Sequence, residues 1–120
     1  MFDEREWTIT EKDVHSYALA SGDHNPIHTN AEAAKKAGLP GCIVHGMLVM
    51  ALGARAVREW QPDPIRSLDA RFQAMTYPNE LLRIKGSWTN GEEGIGIVQI
   101  ENKKGDIKMK GTFSVKRNAL

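Results

Sequence analysis

Residues 43–60, IVHGMLVMALGARAVREW, decide how the rest of the chain must be arranged. Ile43, Val44, Met47, Leu48, Val49, Met50, Ala51, Leu52, Ala54, Ala56 and Val57 surround most of the circumference of a helix over its first turns. A helix apolar on nearly all sides has to be enclosed by something. The residues that follow are able to do so, because their apolar positions alternate: Leu68, Ala70, Phe72 and Ala74, then Leu82, Ile84 and Trp88, then Ile95 and Ile97, then Ile107, Met109, Phe113 and Val115. Alternation of period two marks half-buried strands. Pro78-Asn79, Asn90-Gly91 and Gly105-Asp106 read as turns between antiparallel neighbours.

Upstream, residues 5–9 predict a short strand, and Thr10 with Asp13 three residues on predicts a capping box opening a helix through Ala20. Residues 21–28, SGDHNPIH, cannot be regular, since Gly22 is permissive and Pro26 lacks an amide hydrogen and drives Asn25 toward extended geometry. Residues 31–37 predict a short helix stopped by Gly38 and Pro40. The whole reads as one α+β domain over residues 1–120, an antiparallel sheet wrapped around a central helix, which is the hotdog architecture; a rival α+β layering fits the same pattern. A sheet of this kind leaves an open edge, and exposed edges are normally paired or covered. A homodimer or higher homo-oligomer is expected.

Composition narrows the partners. Lys and Arg number 16 against 15 Asp and Glu, so no strong uniform field points to nucleic acid or anionic lipid. No uninterrupted apolar run is long enough to span a membrane. The single Cys42 cannot form an intramolecular disulfide, and MFDEREW lacks the pattern of a secretion signal, so a cytoplasmic location is expected.

The loop 21–28 concentrates a carboxylate, an amide and two imidazoles. On a helix, Asp23 and His28 would diverge by about 140°. A tight reversal at Gly22 and Pro26 lets the two meet at a common water, where a carboxylate and an imidazole serve as an acid/base pair. The plainer readings are that Asp23 caps a turn, Asn25-Pro26 starts one, and each histidine is a hydrogen-bonded structural group. Asp23, His24, His28 and His45 also have metal-ligating side chains, but no established ligand spacing is present and no metal is expected. Gly46 opens the apolar helix, where free backbone N–H groups point outward and a side chain would crowd a substrate oxygen; its alternative role is close packing against the sheet.

Taken together, YALASGDHNPIH (17–28), the small-residue helix with Ala34, and IVHGML (43–48) resemble the MaoC-like family of (R)-specific enoyl-CoA hydratases, also called hydratase 2. The resemblance covers residues 10–77 by motif. It implies a hotdog fold and reversible syn addition of water to a trans-2-enoyl thioester, giving the (R)-3-hydroxyacyl product. It implies no cofactor beyond the CoA or carrier-protein phosphopantetheine that belongs to the substrate. Asp23 and His28 match the two water-activating residues, Asn25 the supporting loop residue, and Gly46 the backbone donor to the thioester carbonyl. The sequence departs from the family at Ala20, in the short stretch before Trp7, and at Ala54, where some members have serine. His24 stands at a variable position with no role. Met47, Met50, Leu52, Phe72 and Met75 are candidate acyl-lining residues whose plainer reading is core, and Arg55, Arg58, Arg66 and Arg71 read as solvated charges. Two other readings remain on the same fold: a partner-dependent or non-catalytic acyl-thioester-binding subunit of a heterodimer, and a thioesterase.

Overall fold

The computed structural model describes residues 1–117. Strand β1 (Arg5–Thr8) leads into helix α1 (Glu11–Ser21), a short helix α2 (Ala31–Lys36) and the long helix α3 (Gly46–Trp60). Strands β2 (Ile65–Phe72), β3 (Leu81–Asn90), β4 (Ile95–Asn102) and β5 (Ile107–Val115) follow. The five strands form one sheet in the order β1-β3-β4-β5-β2, and every neighbouring pair is antiparallel. The capping box at α1 is present as expected: Thr10 Oγ1 accepts from the Asp13 amide, and Asp13 accepts from the Thr10 amide.

Helix α3 lies on the sheet through Val49, Leu52, Gly53, Ala56 and Val57, which join Leu82, Ile84, Val98, Ile100, Met109, Phe113 and Val115 in one core. Gly53 is the point of closest approach. A Cβ there would stand 2.9 Å from the Met109 methyl group. The opposite side of α3 is not enclosed within the single chain: Met47 is 59% exposed, Ala51 is exposed, and Leu48, Met50 and Ala54 are half-buried.

Two strand expectations need correction. Pro78-Asn79 does not join neighbours. β2 pairs with β5 and β3 with β1 and β4, so residues 73–80 cross from one edge of the sheet to its other side, with Asn79 at a positive φ of 71°. Ala74 belongs to this crossover and lies outside β2. In β4 the inward phase is Gly96, Val98 and Ile100, whereas Ile97 is 45% exposed and Ile95 half-buried. The cause is Phe113, whose ring fills the space where a Gly96 side chain would stand. The largest buried side chain thus sets the register.

Candidate active site

The loop after α1 is built by side chains bonding to amides two residues on. Gly22 caps the helix at φ 75°, Ser21 Oγ accepts from the Asp23 amide at 3.2 Å, Asp23 Oδ1 from the Asn25 amide at 3.2 Å, and Asn25 Oδ1 from the Ile27 amide at 3.2 Å. The Asn25 carbonyl then accepts from the His28 amide at 3.1 Å. These bonds wind the chain tightly enough to return His28 toward Asp23, the reversal that Gly22 and Pro26 permit. Asn25 acts on the loop by three of these bonds, through its amide, its side-chain oxygen and its carbonyl.

His28 turns inward and is 8% exposed. Its Nδ1–H donates to the Ile43 carbonyl at 2.8 Å, while the Ile43 amide donates back to Ile27 O at 3.1 Å. That arrangement fixes the tautomer, leaving Nε2 as the nitrogen with a free lone pair. Asp23 remains exposed, with one carboxylate oxygen holding the loop. His24 is exposed and points to no role.

Ligand-type atoms of Asp23, His28 and His45 all lie within 4.8 Å of one another. The sequence reading brought Asp23 and His28 together but gave His45 a place only among possible metal ligands. It is 2% exposed, its Nε2–H donates to the Asp23 carbonyl at 3.2 Å, and its ring stacks on that of His28 with centroids 3.7 Å apart at 21°. A usable signal was available: His45 is the N-cap of α3, a position that favours Ser, Thr, Asp or Asn, and it makes no capping bond. His28 Nε2 and one Asp23 carboxylate oxygen, neither committed to another group, have the chemistry of an acid/base pair, and the three residues together also have metal-ligating donor types.

Gly46 is the first residue of α3. The amides of Leu48 and Val49 both bond to His45 O, so the Gly46 and Met47 amides stand ahead of the first intrahelical bond at the positive end of the helix. A cavity of about 260 Å³ opens beside Gly46, walled by Ile43, Val44, Val49, Phe72, Met75 and Thr76. Phe72 and Met75 are each about half exposed at this mouth (48% and 50%). Of the other acyl-lining candidates, Leu52 is buried, Met50 half-buried and Met47 outward-facing. The far wall is held by a polar clamp. Lys108, 3% exposed, donates to Met75 O at 2.7 Å and to Glu80 Oε1 at 3.0 Å, and Glu80 also accepts from the Tyr77 amide and from Asn102. Burial acts to raise the Glu80 carboxyl, but the Tyr77 and Asn102 donors and the Lys108 ammonium outweigh it and hold it below the ordinary carboxylate value.

Comparison with known proteins identifies the family and the fold. The mitochondrial 3-hydroxyacyl-(acyl-carrier-protein) dehydratase of Arabidopsis thaliana is 32% identical over 91 residues, which are 76% of this chain and 48% of that protein. The solved MaoC-like dehydratase of Phytophthora capsici superposes with a TM-score of 0.85 at 26% identity, covering 98% of this chain and 42% of that one. The (R)-hydratase from A. caviae involved in PHA biosynthesis shares the fold, with a TM-score of 0.83 at 18% identity over 98% and 95% of the two chains. This chain spans between 4% and 48% of the length of three of the curated relatives it matches. Residues 2–109 match the MaoC like domain, and the chain belongs to that family.

Proposed function

We propose that the protein is an acyl-thioester hydratase or dehydratase that adds water reversibly across the 2,3 double bond of a trans-2-enoyl-CoA or carrier-protein thioester. The observation that carries this reading is the convergence of Asp23 and His28 next to the N-terminus of α3. Addition requires a nucleophilic water at C3, a proton for C2, and a donor for the charge that develops on the thioester oxygen. The exposed carboxylate of Asp23 and the free Nε2 of His28 supply the first two as one coupled acid/base pair. The Gly46 amide supplies the third. Hydration consumes one water: its hydroxyl ends on C3 and its proton on C2, with no redox change.

Relatives named as dehydratases and hydratases support the reaction class. The open mouth beside Gly46, with Met47, Phe72 and Met75 exposed, supports a homodimer in which a second copy covers this face. The unpaired Cys42 suits a reducing, cytoplasmic setting. No helix among the described residues is long and apolar enough to cross a membrane.

The test is crotonyl-CoA hydration followed by loss of the enoyl-thioester absorbance, with chiral analysis of the product. Asp23→Asn and His28→Ala should each lower turnover by about 10²–10⁴-fold while circular dichroism and the size of the assembly stay unchanged. Retained turnover in both variants refutes the assignment. Release of free thiol in place of alkene loss identifies a thioesterase, and activity that appears only after a partner is added identifies the heterodimer subunit.

A further inference from the structure

We infer that His45 is a positioning residue for this reaction, setting the main chain of Asp23 and the ring of His28 against the Gly46 amide; the inference rests on the hydratase reading. The His45 side chain bonds to one member of the acid/base pair and packs on the other. Its Nε2–H reaches the Asp23 carbonyl at 3.2 Å, and its ring lies 3.7 Å from that of His28. On its other side, Tyr17 of α1 meets it edge-on at 4.8 Å. His45 is therefore wedged between α1, the loop and the start of α3, and its own peptide leads directly into Gly46.

Three features set it apart from an ordinary core residue. It is almost fully buried, yet its Nδ1 has no hydrogen-bond partner. It occupies an N-cap without capping, so helix formation does not explain a histidine there. Its bond to Asp23 is to the carbonyl, which leaves the second carboxylate oxygen uncommitted and fixes where that carboxylate begins. Rotation of the ring would shift both partners at once, and a displacement of about 1 Å at reacting groups is enough to lower turnover by 10²-fold.

The experiment compares His45→Gln, which keeps an N–H donor for the Asp23 carbonyl, with His45→Leu, which has similar bulk and no donor. The leucine variant is expected to lose kcat by on the order of 10²-fold with KM little changed, and the glutamine variant to recover most of that loss. Equal kcat in the two variants, whether high or low, overturns the inference. The unaltered protein gives a second readout that does not depend on either variant folding. Nitrogen-detected NMR of the histidine rings should place the proton of His45 on Nε2, and a proton on Nδ1 in the neutral ring overturns the inference. Asp23→Asn and His28→Ala run alongside: if they retain turnover, the hydratase reading itself fails, separately from any result at His45.

Discussion

Beneath the crossover 73–80, Lys108, Glu80, Asn102 and Asp106 form a polar cluster whose bonding capacity is largely used. Asn102 donates to both Glu80 and Asp106, and its oxygen accepts from the amides of Lys104 and Asp106. At the start of α3, Asp23, His28 and His45 form a second cluster in which capacity is left over: one carboxylate oxygen, His28 Nε2 and the buried His45 Nδ1 are not committed. Matched groups in a low-dielectric setting fix a structure, while unmatched ones carry a free-energy cost that persists where chemistry uses them. The contrast separates the cluster that holds the cleft from the cluster to which the chemistry is proposed to belong.

The sharpest way to break this contrast is to exchange the consequences. Glu80→Gln removes the counter-charge from the Lys108 ammonium and should destabilise the fold by about 3–5 kcal/mol, read from the urea midpoint. Adding Lys108→Met to that variant removes the stranded charge and should restore much of the loss. At temperatures where the variants remain folded, kcat should change far less than in Asp23→Asn. A clamp variant of unchanged stability and abolished turnover would put the chemistry on the wrong cluster.

A somewhat smaller effect isolates the backbone donor. Gly46 is the first residue of α3, where proline is well tolerated because the amide it removes has no intrahelical acceptor. The preceding His45 already has φ −57° and ψ 132°, the extended geometry that proline demands of its neighbour. Gly46→Pro should therefore keep the helix and delete the N–H, lowering kcat by about 10²–10³-fold, or 2.7–4 kcal/mol. Gly46→Ala keeps the N–H and places its Cβ 3.4 Å from the Phe72 ring, so it reports the steric component alone. Equal losses in the two variants would assign Gly46 to packing, the plainer role its position allows.

The two clusters also differ in how far the sequence discloses them. The loop 21–28 is legible because its shape comes from local rules: Gly22, Asn25 and Pro26 act within a few residues of themselves, and the capping box of Thr10 and Asp13 is equally local. Helix α3 is legible from its apolar circumference, though the single chain covers only the face of Val49, Leu52 and Val57. The clamp is not legible, because Lys108 and Glu80 are separated by 28 positions and meet only through the sheet order. The phase of β4 is hidden for the same reason. Ile95 and Ile97 alternate as regularly as Val98 and Ile100, and the choice falls to Phe113 on the adjacent strand. His45 lies between these cases: its bond to Asp23 spans 22 positions, but its unusual residue type at a helix start is visible locally.

The smallest expected effect refines the structural side of the comparison through acid. The Glu80 carboxyl titrates below its ordinary value of 4.5 in the folded protein, because the Tyr77 and Asn102 donors and Lys108 overcome the cost of its burial. The unfolded chain therefore takes up this proton first as pH falls, and the linkage slope has the unfolded state binding more protons. The contribution is complete above the unfolded value of 4.5 and is lost as pH drops through the lower folded value. Urea midpoints measured from about pH 6 down to about pH 3 should fall less steeply in Glu80→Gln than in the unaltered protein. If the two slopes coincide, the acid sensitivity belongs to other carboxylates and the clamp holds Lys108 without drawing on the charge of Glu80. A shallower slope in the variant assigns that charge to the wall of the cleft, since the same carboxylate bonds the Tyr77 amide and the ammonium that grips the Met75 carbonyl.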